Sequence, residues 1–173
     1  MSKYKIIFLD VDGVLNHEAF YSKRQEEGIE NYPSYPLCEI DYKCVEVLNE
    51  IISKTGAKVV VSSTWRHGRT VEELQSILDQ SGFKGEIIDK TPSFDHDECV
   101  RGNEIRKWIQ NNFDLLGADV HHFENYVIFD DDNDMLYSQK DNFLQVDRWV
   151  GLTYFMAARA IRILNRGRGI ETL

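Results

Sequence analysis

Three short runs carry the residues able to do chemistry. Asp10-Val11-Asp12-Gly13-Val14 spaces two carboxylates two residues apart, and Ser62-Ser63-Thr64-Trp65-Arg66 offers hydroxyls and a guanidinium. Asp130-Asp131-Asp132-Asn133-Asp134 is almost wholly acidic. Carboxylates brought together from separate segments repel one another unless a cation lies between them. An all-oxygen donor set suits a hard ion, Mg²⁺ above others. Mg²⁺ held by a few carboxylates leaves room for a substrate phosphate, which is the arrangement of phosphoryl transfer. One aspartate can then attack phosphorus. A second, two residues on, can give a proton to the leaving oxygen and later activate water. Hydroxyls, backbone amides and an Arg or Lys would hold the phosphoryl oxygens as charge builds.

Each run follows an apolar stretch with the character of a buried strand: Lys5 to Leu9, Ala57 to Val61, and Tyr126 to Phe129. Further strands are expected at Glu86 to Asp89 and Phe143 to Val146. Helices are expected at Asp41 to Lys54, closed by Gly56, at Thr70 to about Ser81, at Arg101 to Asn112 and at Leu152 to Asn165. Thr70-Val71-Glu72-Glu73 reads as a capping box. Strand and helix alternate, which predicts an α/β fold with a mostly parallel sheet and helices on both faces. In such sheets ligands bind beyond the carboxyl ends of the strands, where all three runs lie. Asn16 to Ile40, with Pro33, Pro36, Tyr21, Tyr32 and Tyr35, reads as one long irregular segment able to shield the site.

The chain has 173 residues, 42% of them hydrophobic, enough for one domain spanning 1–173. Between Glu86 and Asp134 stand 13 acids and 4 bases, an excess that equals the whole net charge of −9. The acidity is therefore local, and it weakens any argument from bulk charge against an anionic substrate. The cysteines Cys38, Cys44 and Cys99 form no Cys-x-x-Cys pair, which predicts a reducing, cytoplasmic setting and packing roles for the thiols. No apolar run reaches membrane-spanning length, so no membrane partner is expected, and no obligate protein partner is evident. A calcium loop starting at Asp10 would need glutamate at its twelfth position, where Tyr21 stands. A P-loop signature is absent.

Asp10-Val11-Asp12-Gly13-Val14 after a buried strand resembles the first motif of the haloacid dehalogenase (HAD) superfamily. The resemblance implies Asp10 as nucleophile and metal ligand. It implies Asp12 as general acid and base, with its main-chain carbonyl on the metal. Ser62 resembles the phosphate-binding hydroxyl of the second motif, with Ser63 as the neighbouring candidate. Asp131 resembles the direct metal ligand of the fourth motif, supported by Asp130, with Asp134 a further candidate. The third motif normally offers Lys; Arg101 stands in that place, and Lys90 is its rival. The flanking Ser-Ser-Thr-Trp-Arg, Arg-Gly-x-Glu-Ile and Gly151-Leu152-Thr153 are similar to HAD domains of multidomain "Swiss army knife" RNA-repair proteins.

What the resemblance implies is a three-layer Rossmann-like fold with little or no cap. The activity implied is a Mg²⁺-dependent phosphomonoesterase working through an aspartyl-phosphate, with a nucleic-acid end or a nucleotide as the phosphorylated substrate. Trp65 and Arg66 are candidate substrate contacts. Arg159, Arg162, Arg166 and Arg168 form a basic arc on the last helix, either near a substrate or simply solvated. Two other readings stand beside this one: a small-metabolite phosphatase, and a non-catalytic phosphate- or metal-binding module.

Overall fold

The computed structural model describes residues 4–28, 39–94, 100–117 and 123–166. Five parallel strands form one sheet in the order β3-β2-β1-β4-β5, with β1 at Ile6–Leu9, β2 at Lys58–Val61, β3 at Ile87–Lys90, β4 at Tyr126–Asp130 and β5 at Phe143–Gln145. The helices are α1 (Glu18–Glu27), α2 (Tyr42–Thr55), α3 (Val71–Gln80), α4 (Arg101–Asn111), α5 (Phe113–Leu116) and α6 (Tyr154–Leu164). This is the mostly parallel α/β arrangement that the strand-helix alternation predicts, and the Rossmann-like fold that the resemblance implies.

The central strand is apolar throughout because helices cover both of its faces. Ile6, Phe8, Val60 and Ile128 pack with Ile105 and Trp108 of α4 and Leu116 of α5. Ile7, Leu9, Val59, Val61, Val127 and Phe129 pack on the other side with α2, α3 and α6. Each fully buried side chain of this kind contributes roughly 1.5–3 kcal/mol. Local signals agree with the elements. Asp41 caps α2 through the amide of Lys43, and Gly56 closes it in the left-handed region. Thr70 and Glu73 form the expected capping box on α3.

One expectation fails. The stretch after Asn16 is not irregular throughout: Glu18–Glu27 is helical, capped by His17 and ended by Gly28 at φ 57°. None of its residues is buried, so it carries no apolar stripe, and periodicity could not reveal it. Its start is set instead by the amides of Glu18 and Ala19, which donate to the carbonyls of Arg148 and Trp149. Pro33, Pro36, Tyr32, Tyr35 and Cys38 lie outside the described residues, as do Cys99, His121, His122 and Arg168. Of the cysteines, Cys44 is described, and it is buried in the core as a packing residue.

The strand pairing places the chemistry. Leu9 stands beside Val61 on one side and Phe129 on the other. One step on, Asp10, Ser62 and Asp130 therefore lie abreast at the carboxyl edge, with the Asp10 amide donating to the Phe129 carbonyl. Residues alternate faces along a strand. Asp10, following Ile6 and Phe8, and Asp130, following Ile128, thus continue the rows that face α4.

Candidate active site

Both carboxylates of that row are out of water; Asp10 is 6% exposed and Asp130 1%. Arg101, first residue of α4, reaches both: its Nη2 lies 3.9 Å from Asp10 Oδ1 and its Nε 3.3 Å from Asp130 Oδ2. Burial pushes the Asp10 carboxyl up to about 6, against the pull of Arg101 and a hydrogen bond from Ser63. Burial, and then repulsion by Asp10, pushes Asp130 up to about 7. The site is thus charged only at a cost, which one guanidinium offsets in part.

Asp131 completes the acidic group. Carboxylate oxygens of Asp10, Asp130 and Asp131 all lie within 4.8 Å of one another. Asp130 Oδ2 is buried and, among the described residues, accepts no hydrogen bond, with the Arg101 guanidinium beside it as an ion pair. A three-carboxylate, oxygen-only set with such an atom fits a hard divalent cation. Gly13 makes room for it. Its φ is +75°, and a Cβ there would stand 2.5 Å from Asp131 Cγ. Gly13→Ala is therefore expected to displace Asp131, costing about 1–3 kcal/mol in stability and weakening cation binding. Thermal melts with and without Mg²⁺ check this; an unchanged Mg²⁺-induced rise in Tm would contradict it.

Asp12 stands exposed at the mouth of a cavity of about 320 Å³ that also takes in Asp10, Thr64, Arg101 and Asp131. Its orientation is held. Trp65 Nε1 donates to both carboxylate oxygens at 3.1 Å, and Asn16 Nδ2 donates to Oδ1 at 2.9 Å. Asn16 Oδ1 in turn accepts from the Gly13 amide. The turn after β1 is thus locked around the second aspartate.

The structure redistributes several expected roles. Trp65 is buried and spends its N–H on Asp12, while Arg69 covers its ring at 5.5 Å, so no open face remains for a base to stack on. Arg66 is buried too. Its Nη1 donates to the carbonyls of Ser62 and Ser63, and its Nη2 lies 2.8 Å from Glu104 Oε2. It braces the serine loop from behind rather than offering itself to a substrate. Ser62 and Ser63 are both fully buried. Ser63 serves Asp10 and the Trp65 amide, and the Ser62 hydroxyl has no partner among the described residues. Thr64, the exposed hydroxyl of the run, is the one that lines the cavity.

Of the two rivals, Arg101 reaches the carboxylates, whereas Lys90 donates to the carbonyls of Arg66 and Arg69. Asp134 acts as a cap: its carboxylate accepts the Arg101 amide at 2.9 Å, which α4 otherwise lacks a side-chain cap to satisfy. Arg159, Arg162 and Arg166 gather beside Lys140 and Phe143, at the opposite edge of the sheet, because α6 runs back along the strands.

Sequence reasoning did not pick out Glu104, Asn16 or Arg148. Glu104 had a signal. It sits beside Ile105 and four residues before Trp108, on the buried stripe of α4, where a carboxylate needs a partner. Gly102 of the same motif has its own reason, since a Cβ there would meet the Leu136 amide at 2.5 Å. A second cluster, His17, Asp41 and Cys44, borders a larger cavity of about 840 Å³. Hydrogen bonding accounts for it. His17 Nε2 bonds Asp41, whose other oxygen caps α2, and Nδ1 accepts the Phe20 amide. Burial, then Asp41, pushes the Cys44 thiol up to about 12.

Among the described residues no helix is long and apolar enough to cross a membrane. Neither the curated proteins nor the solved structures include a significant match to the chain. A sequence model of one family does match, over residues 6–155, from β1 into α6 and through all three acidic or hydroxyl-bearing runs. The chain belongs to the family described as the HAD domain in Swiss Army Knife RNA repair proteins.

Proposed function

We propose that the chain is a Mg²⁺-dependent phosphomonoesterase that works through an aspartyl-phosphate on Asp10, with nucleic-acid or nucleotide termini as its substrates. The observation that carries the reading is Asp10 itself, buried beside Arg101, with Asp12 held two residues on by Trp65 and Asn16. Asp10, Asp130 and Asp131, with the Asp12 carbonyl, would hold Mg²⁺, which when bound offsets their charge and draws electron density from the phosphoryl oxygens.

Asp10 attacks phosphorus, and the bond from phosphorus to the ester oxygen breaks as Asp12 gives that oxygen a proton. Water then attacks the acyl phosphate, its proton passes to Asp12, and inorganic phosphate leaves Asp10 free. Arg101 carries positive charge at the point where Asp10 reacts, and Thr64 offers a hydroxyl to the phosphoryl group. The family's description and the open mouth of the cavity favour a bulky, phosphate-ended substrate. A reducing, cytoplasmic setting belongs to the same reading, on the strength of cysteines without a pairing pattern.

Phosphate release from an aryl phosphate tests this. Release is expected with Mg²⁺, to stop in EDTA and to return on adding Mg²⁺. Release that persists in EDTA would count against the metal; none under any condition would leave a binding module. Oligonucleotides bearing 3′- or 5′-phosphates, set against a panel of phosphorylated metabolites, then decide the substrate class.

A further inference from the structure

Two cations border the active-site cavity among the described residues, and they face differently. Arg101 is turned inward onto Asp10, Glu104 and Asp130. Arg148 stands at the mouth with its side chain 61% exposed. Its Nε and Nη2 both donate to a single oxygen, Asp131 Oδ2, at 3.1 and 2.7 Å. That leaves Nη1 with no partner among the described residues.

The residue is also held in place. Asp147 accepts the Trp149 amide, Gly151 at φ 72° donates back to the Asp147 carbonyl, and the first amides of α1 donate to the Arg148 and Trp149 carbonyls. A planar guanidinium on a braced turn, with a free edge, suits forked recognition of a phosphate. Among the described residues the cavity lining around it adds the acids Glu18, Asp131 and Asp132 beside His17 and Tyr21, so an anion extending beyond the reacting phosphate meets its standing positive charge at Arg148.

We propose that Arg148 sets substrate preference by binding a second phosphate of the substrate, one that neighbours the scissile monoester. This rests on the phosphatase reading of the same site. A phosphodiester at a nucleic-acid end and the second phosphate of a small bisphosphate share this chemistry. Specificity arises at Arg148 because an ester with one phosphate leaves the guanidinium unused.

The test compares kcat/KM of wild type, Arg148→Ala and Arg148→Lys on three substrates: an aryl phosphate, a nucleoside 3′,5′-bisphosphate and a 3′- or 5′-phosphorylated oligonucleotide. In Arg148→Ala the ratio of two-phosphate to one-phosphate kcat/KM is expected to fall about tenfold or more, with Lys between. Calorimetric titration in EDTA gives a readout apart from turnover. Pyrophosphate binding should weaken in Arg148→Ala by a larger factor than inorganic phosphate binding. A fall confined to the oligonucleotide identifies the nucleic-acid source, and a fall shared with the bisphosphate identifies a general second-phosphate site; either supports the proposal. If all substrates lose alike, or none loses, Arg148 only steadies Asp131 and the proposal is overturned while the phosphatase reading stands. If wild type releases no phosphate from any of the three, both fall together.

Discussion

Asp10→Asn is expected to abolish phosphate release while leaving the fold intact and, without metal, more stable. The amide has almost the shape of the carboxylate but cannot attack phosphorus, so turnover should fall by about 10³-fold or more. The stability effect follows from the position of the group. Asp10 and Asp130 lie side by side at the ends of β1 and β4, and burial raises their carboxyls from 3.8 to about 6 and about 7. The folded chain therefore holds protons that the unfolded chain has already released.

The stability these groups provide is fully present below about pH 4 and is lost as pH rises through 6 and 7. In EDTA the Tm should thus fall between pH 5 and 8. Asp10→Asn removes one of the two penalties, which should raise stability at pH 8 by about 3 kcal/mol, roughly 6–12 °C in Tm for a chain of this size. Saturating Mg²⁺ should restore the wild type at pH 8 and do little for the variant. A wild-type Tm in EDTA that is flat from pH 5 to 8 would show that these carboxyls bear no such penalty.

Glu104→Ala should damage the fold most. Glu104 is 1% exposed and takes Arg66 on Oε2 at 2.8 Å, with Arg101 3.7 Å from the same oxygen and the Phe94 amide on Oε1. One carboxylate thereby ties the loop after β2, which Arg66 braces, to the first turn of α4, which presents Arg101. Removing it leaves a guanidinium buried without its counter-charge, a loss of about 3–5 kcal/mol. Urea unfolding should show that fall with an unchanged slope. Glu104→Gln keeps the shape and one acceptor, so it should lose less stability. It should still slow aryl phosphate turnover by about tenfold or more, because Arg101 is no longer shared and closes on Asp10 and Asp130. Wild-type stability and activity in both variants would show that Glu104 merely fills space.

The elements with strong local signals were legible without coordinates. β1, β2 and β4 are unbroken apolar runs ending in polar residues, and α2 and α3 carry apolar stripes between recognisable caps. Helix α1 was not, since it buries nothing and owes its position to two carbonyls more than a hundred residues away in the chain.

The same division runs through the site. Residue type and spacing alone put Asp10, Asp12, Ser62, Asp130 and Asp131 at strand ends, because parallel strands deliver whatever follows them to one edge. Residue type could not say which polar group turns inward. Trp65 and Arg66 have the chemistry of substrate contacts, yet the tertiary structure uses them on Asp12 and on the serine loop. Arg148 lies in an unremarkable turn, and only the pairing of β5 beside β4 brings it to Asp131. Sequence determined which charges the chain must gather at one rim. Tertiary structure decided which of them are buried against one another and which still face a ligand, because desolvation and partner geometry depend on distances that no spacing along the chain encodes.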